Sequence, residues 1–220
     1  MKSIRNLLGL AALALLPLQA SATIIIDNST TGLYNNLGDL AAIDGPGGFL
    51  LGANVSEGDP SYQLGGDPNL PFTAAFGTNW LAGNYAGGTW SANPVAIPSA
   101  WAVNSEAAIV YDFNLALASS LHIDVGVDNG LLVWLNGNFL FGATAGGGAN
   151  INEYDIDVAS LGAGSHSLQI LLADHGGATG YAISVDANAL PVSVPEPTGL
   201  LLLVSSLLGL GFVRYNKKRA

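Results

Sequence analysis

Three acidic residues occupy positions where carboxylate oxygens could bind a cation. Asp27 is expected at the end of a strand, and Asp128 and Asp174 are expected in loops. Calcium takes carboxylate and carbonyl oxygens as ligands, often from loops. No EF-hand spacing is present, and one interpretation of these residues is a bound calcium ion. The other is that solvated carboxylates keep the surface soluble. No motif requires any other cofactor.

Aromatic residues provide a second kind of binding chemistry. Trp80, Tyr85 and Trp90 lie close together in a stretch rich in glycine and asparagine. Exposed aromatic rings among such polar residues would form a platform for neutral glycans. The alternative is that these rings fill the core or cover it, as most tryptophans do.

Catalytic chemistry has weaker support. The chain contains no cysteine, which excludes thiolate catalysis, disulfides and cysteine-bound metals. His122 and Asp124 share one strand face, but no Gly-x-Ser-x-Gly turn supplies a nucleophile. Asp155 and Asp157 are the paired carboxylates that a glycan hydrolase would use. Without a recognisable cleft, they are expected to be solvated, and the protein is predicted not to be an enzyme.

The charge distribution excludes one class of partner. The 220 residues include 16 acids and 6 bases, for a net charge of −10. Fifteen of the acids lie between Asp27 and Asp186, and no lysine or arginine lies between residues 6 and 213. A nucleic-acid partner is therefore not expected, because phosphate backbones are bound by Lys and Arg.

The N-terminus has the three features of a secretory signal. Lys2 and Arg5 precede an apolar stretch from Leu7 to Leu16, which is followed by the small-residue triplet Ala20-Ser21-Ala22. This order predicts a signal peptide over residues 1–22, cleaved before Thr23.

The C-terminus carries a second targeting pattern. A Pro-rich linker (residues 191–197) precedes an apolar run (198–213) and a short basic tail (214–220). The run is slightly short for a membrane helix, but its basic flank can anchor it with the tail in the cytoplasm. The pattern resembles a PEP-CTERM sorting signal, carried by Pro195, Glu196, Pro197, Arg214, Lys217, Lys218 and Arg219.

The PEP-CTERM resemblance implies a destination and a processing enzyme. Members of this family are exported proteins of Gram-negative bacteria, and an exosortase recognises their tails. The protein is therefore expected to be anchored in the inner membrane before processing and then to reach the cell surface or the extracellular space. Its expected partners are exosortase, the membrane and extracellular polysaccharide, in association with biofilm.

Residues 23–190 form the exported domain, and their apolar residues alternate with polar ones. The period of two predicts half-buried antiparallel strands. Asp128-Asn129-Gly130 and Asn136-Gly137 are predicted as turns, the second closing a hairpin. We therefore predict an all-β fold, an antiparallel β-sandwich. Strands are predicted at Thr23–Ile26, Ala107–Phe113, Leu121–Val127, Leu131–Leu135, Phe139–Phe141, Tyr154–Val158, Leu168–Leu172 and Tyr181–Ala187.

One part of this domain resembles a known fold family. The run Val127–Gly137, the turn Leu161–Leu168 and the segment Asp174–Gly177 are similar to parts of galactose-binding-like jelly rolls. The resemblance implies a binding scaffold, without catalytic residues to carry over. The function expected is a non-catalytic carbohydrate-binding or exopolysaccharide-associated surface module. A secreted polysaccharide hydrolase and a structural protein that self-associates through sheet edges are the alternatives.

Overall fold

The computed structural model describes residues 22–37, 62–145, 148–174 and 177–191. The chain divides into two units, Met1–Leu190 and Pro191–Ala220, and the described strands all lie in the first. These strands are β1 (Thr23–Asp27), β2 (Thr31–Asn36), β3 (Tyr62–Gln63), β4 (Val95–Ala96), β5 (Glu106–Leu115), β6 (Ser119–Leu135), β7 (Asn138–Ala145), β8 (Tyr154–Leu161), β9 (Gly164–Ala173) and β10 (Gly180–Ala189).

The strands form two antiparallel sheets that share β6. The first sheet has the order β8-β6-β10-β1, and the second has the order β4-β2-β5-β9-β6-β7-β3. The described residues therefore confirm the prediction of an all-β antiparallel sandwich.

The strand β6 corrects one predicted turn. Asp128-Asn129-Gly130 does not reverse the chain, because β6 continues through it for 17 residues. The first half of β6 pairs with β8 and β10, and the second half pairs with β7 and β9. The polar triplet is the point where one strand passes between sheets, as corner strands do in sandwiches.

The hairpin between β6 and β7 confirms the second predicted turn. Asn136 and Gly137 have φ angles of 51° and 76°, in the left-handed region that a type I′ turn requires. Leu135 pairs with Asn138 across this two-residue loop.

The main core lies between the two sheets. Inward residues of β6 and β10 alternate with polar outward residues, as the period of two predicts. They meet an apolar layer from β5, β9 and the second half of β6. The residues at its centre are Ile109, Ile123, Val125, Val127, Leu131, Ile170 and Val185.

A second core covers the outer face of the second sheet. Residues 64–90 cross this face and include two short 3₁₀ helices, Ala74–Phe76 and Trp80–Ala82. Their aromatic rings pack on β5, β6 and β9. This layer explains why strands of the second sheet have nearly continuous apolar sequences, since both of their faces are buried.

The predicted targeting segments lie mainly outside the described residues. Residues 1–21 and 192–220, including the predicted sorting motif, are not described, while Ala22 and Thr23 are exposed at the start of β1. No helix within the described residues has the length and apolar character needed to cross a membrane. The signal peptide and the sorting signal therefore stay predictions.

Candidate functional site

The candidate site lies at the end of the sandwich where β6 passes between the sheets. The pairing register aligns Gly130 of β6 with Ala173 of β9, and Ala173 with Glu106 of β5. Asp128 pairs with Gly180, the first residue of β10. We call this region the acidic end and define it by Glu106, Asp128, Glu153 and Asp174.

Asp174 is the most constrained residue of the acidic end. Its side chain is fully buried, and its Oδ2 accepts a 2.6 Å hydrogen bond from the backbone N–H of Asn104. Its own N–H donates to the carbonyl of Ser105 at 3.2 Å. Its Oδ1 has no hydrogen-bond partner among the described residues. A buried carboxylate oxygen without a donor is costly unless a proton or cation satisfies it.

Asp128 is the second buried carboxylate of this region. It is 8% exposed, and its Oδ1 accepts a 2.6 Å hydrogen bond from the side-chain amide of Asn129. The Asp128–Asn129 peptide bond is cis. Because β6 and β9 pair in register through Gly130 and Ala173, Asn129 and Asp174 are neighbours across these two strands.

Residues 148–153 close the acidic end over the first sheet. The Glu153 carboxylate accepts a 2.9 Å hydrogen bond from the N–H of Val127, beyond the last paired residue of β8. Burial raises the pKa of Glu153, while this hydrogen bond lowers it. A Cβ on Gly126 would lie 2.0 Å from the Asn150 carbonyl oxygen, so this close approach requires glycine.

The electrostatics of the acidic end favour a cation. All six lysines and arginines lie outside the described residues. No lysine or arginine among the described residues can therefore pair with these carboxylates. Ca²⁺ prefers oxygen ligands to nitrogen or sulfur ligands. The unpartnered oxygen of Asp174 gives such an ion a preformed ligand, so the residues present fit calcium.

The strand register places Asp128 and Asp174 at the same end of the sandwich, with Asn129 rather than Asp128 directly opposite Asp174. Asp27 lies elsewhere, at the end of β1, and its Oδ1 accepts hydrogen bonds from the Ser29 N–H, the Ser29 hydroxyl and the Thr30 hydroxyl. The bonds from Ser29 lower the pKa of Asp27 most strongly. Asp27 therefore stabilises a turn, and its assignment as a cation ligand stays a prediction.

Of the three residues of the predicted aromatic platform, Trp80 is buried and Tyr85 and Trp90 are half-buried. Trp80 is 2% exposed, and its ring packs against Phe76 and Trp134 at centroid distances of 5.2 and 5.7 Å. Trp90 is half-buried, donates its Nε1–H to the Phe76 carbonyl at 2.8 Å, and contacts Tyr85 edge-on. Burial raises the pKa of Tyr85 to about 12. These residues cover the second core, because burying the apolar surface of their rings stabilises the folded state.

A cleft at the opposite end of β5 and β9 was not predicted. It encloses about 580 Å³ and is lined by hydroxyl, amide and carboxylate groups beside one aromatic ring. Its parts are distant in sequence and are brought together by the pairing of β9 with β5 and β6, so no local pattern could reveal it. The lining residues are Asp112, Phe113, Asn114, Asn136, Ser165, His166 and Ser167.

Comparison with known proteins yields only remote structural likenesses. Neither a protein-family description nor a curated protein sequence matches this chain. A PA14 sugar-binding domain from an RTX adhesin is similar over 72% of this chain and 90% of its own, at 18% identity and a TM-score of 0.32. The PA14 domain of the MpAFP antifreeze protein is similar over 70% and 80%, at 17% identity and a TM-score of 0.32. Likenesses at this level do not establish a shared function.

Proposed function

We propose that this protein is an exported, non-catalytic carbohydrate-binding module whose glycan site is organised by a calcium ion at the acidic end. The observation that carries the proposal is the fully buried Asp174 carboxylate, with one oxygen lacking a partner among the described residues. Asp128 lies on the neighbouring strand β6, and the part of the chain that the structure describes contains no lysine or arginine.

The chemistry of calcium supports a glycan as the ligand. Calcium takes six to eight oxygen ligands, which is more than Asp128 and Asp174 supply. Hydroxyl groups of a sugar can complete the coordination of the ion. The negative field of the domain disfavours free anionic ligands, so neutral glycans, or acidic polysaccharides bridged by the ion, are the classes expected.

The direct test is glycan binding by the full-length chain in detergent, on an array of neutral and acidic polysaccharides. Binding is expected in millimolar calcium and is expected to be lost in chelator and in Asp174→Asn. The matched control is Asp67→Asn, which removes the same charge at an exposed carboxylate whose Oδ1 closes a local turn and whose Oδ2 accepts a 3.4 Å hydrogen bond from the Nε1–H of Trp134. Binding that is equal in calcium and chelator would contradict the proposal, as would release of reducing sugar from the bound polysaccharide.

An independent test separates the acidic end from the cleft. Asn114→Ala alters an exposed residue of the cleft, whose amide donates to Ser165 at 3.3 Å, and leaves the acidic end intact. If Asn114→Ala abolishes glycan binding and Asp174→Asn does not, the ligand belongs to the cleft and the calcium-organised site is rejected.

Export and sorting form the second part of the proposal and rest on the sequence alone. We expect cleavage before Thr23, recognition of the tail by an exosortase and delivery to the surface of a Gram-negative cell. Replacing Pro195, Glu196 and Pro197 with alanine should leave the chain in the inner membrane at its unprocessed mass. Immunoblots of membrane and surface fractions measure this, and normal surface delivery of the triple variant would count against sorting by this motif.

A further inference from the structure

A second group of metal-binding side chains lies on the outer face of the first sheet. His122 and Asp124 are two residues apart on β6 and point outward, and Asp155 of β8 pairs directly with Asp124. One ligand atom from each of the three lies within 4.8 Å of the other two. This is the only such group of three among the residues that the structure describes.

The separations match those around a small divalent ion. The Nε2 of His122 lies 3.2 Å from the Oδ1 of Asp124. Two neighbouring ligands of tetrahedral zinc lie about 3.3 Å apart, because Zn–N and Zn–O bonds are about 2.0–2.1 Å long. A ligand atom of Asp155 lies within 4.8 Å of both, and its exposed side chain can rotate toward an ion.

Asp157 orients the histidine for this role. The Nδ1 of His122 lies 2.8 Å from the Oδ1 of Asp157, which pairs with His122 across β6 and β8. A carboxylate only accepts, so Nδ1 carries the proton, and in the neutral ring Nε2 presents its lone pair. Histidine ligands of zinc are commonly held in this way by a carboxylate on the other ring nitrogen.

Without a cation, the three ligand atoms would oppose one another. In neutral His122 the lone pair of Nε2 would face the carboxylate of Asp124, and Asp124 lies opposite the like-charged Asp155. Asp186 of β10 also pairs with His122 and adds negative charge. A proton or a metal ion must therefore lie between these groups.

We propose that His122, Asp124 and Asp155 bind one Zn²⁺ ion on the outer face of the first sheet, with Asp157 as the residue that positions His122. Imidazole with carboxylates suits zinc and its first-row neighbours, whereas calcium avoids nitrogen ligands. The site therefore differs in ion preference from the acidic end, and its fourth position is open to water or to an external ligand.

Isothermal titration of the full-length chain in detergent with ZnCl₂ tests the site. One zinc ion is expected to bind per chain, and its binding should require His122. Excess calcium should not displace the zinc. His122→Gln and Asp155→Asn should each weaken this binding more than tenfold. Asp157→Asn should weaken it by about 10–100-fold, the range typical of residues that orient a metal ligand.

Two control variants distinguish a defined site from diffuse attraction. Asp186→Asn removes one charge from the same face at a residue that pairs with His122 but is not a proposed ligand, and His166→Gln removes a histidine elsewhere. Both should bind zinc as the wild type does. Unchanged affinity and stoichiometry in His122→Gln would overturn the proposal, and so would equal losses in Asp186→Asn and Asp155→Asn. Circular dichroism in chelator verifies that each variant is folded. Glycan binding in calcium is measured separately from zinc binding. The zinc site can therefore be refuted while the proposed function stands, and the proposed function can be refuted while the zinc site stands.

Discussion

Replacing Asp174 with asparagine should have opposite effects on stability in chelator and in calcium. An asparagine keeps an oxygen for the Asn104 N–H and places its NH2 group at the position of Oδ1, so the variant replaces a charged group that has no partner among the described residues with a neutral one. An unsatisfied buried polar group costs about 1–3 kcal/mol, and a charged one costs more. In chelator, the free energy of unfolding of Asp174→Asn should therefore be about 2 kcal/mol higher than that of the wild type.

Calcium should reverse this order. An ion present at about 100 times its Kd stabilises the native state by about 2.7 kcal/mol. The wild type should gain this amount, and the variant should gain much less because it has lost a charged ligand. For a domain of this size, 1 kcal/mol corresponds to about 2–4 °C in Tm. The midpoints of variant and wild type should therefore cross as calcium is added.

Thermal unfolding followed by circular dichroism, in chelator and in a calcium series, measures both effects. Asp67→Asn is the control, because it removes the same charge from an exposed turn and should follow the wild type in both conditions. If the wild type is already the more stable protein in chelator, the Asp174 carboxylate has a partner and the reasoning fails. Equal calcium shifts in wild type and Asp174→Asn would place the ion elsewhere.

Three further predictions concern the core, the closing segment and the outer face. Trp80→Ala should lower the free energy of unfolding by about 3–5 kcal/mol, the cost of truncating a buried tryptophan, as measured by urea denaturation. Gly126→Ala should push residues 148–153 away, since its Cβ would lie 2.0 Å from the Asn150 oxygen, and faster proteolysis of that segment would reveal the change. The raised pKa of His122 means that its contribution to stability is complete below pH 6.5 and is lost as pH rises through the folded-state value. Urea midpoints in chelator should therefore fall from pH 6 to pH 8 in the wild type and fall less in His122→Gln.

Most strands could be predicted from the sequence because their inward and outward residues differ chemically. The alternation of Leu121 to Val127 on β6 and of Tyr181 to Ala187 on β10 places one face in the core and the other in solvent. The turn Asn136-Gly137 could also be predicted, since its backbone angles depend on those two residues.

The turn predicted at Asp128–Gly130 failed for a physical reason. Polar and glycine residues favour reversals when a segment is solvated, but these are buried where β6 changes partners. Whether such residues turn or continue depends on the strands beside them, and Ala173 and Gly180 are remote in sequence. The exposure of Trp80 could not be predicted for the same reason, because the surface that buries it comes from β5, β6 and β9.

By itself, the sequence determined the strand content, the uniformly negative charge of residues 27–186 and the residue types able to bind a cation. These properties depend on composition and on the local order of residues, which are the same whatever the rest of the chain does. Only the tertiary structure decided that Asp174 is buried beside β6, that Asp27 closes a turn and that His122 meets carboxylates of β8. These outcomes depend on strand register, and register is set by the packing of the whole sandwich.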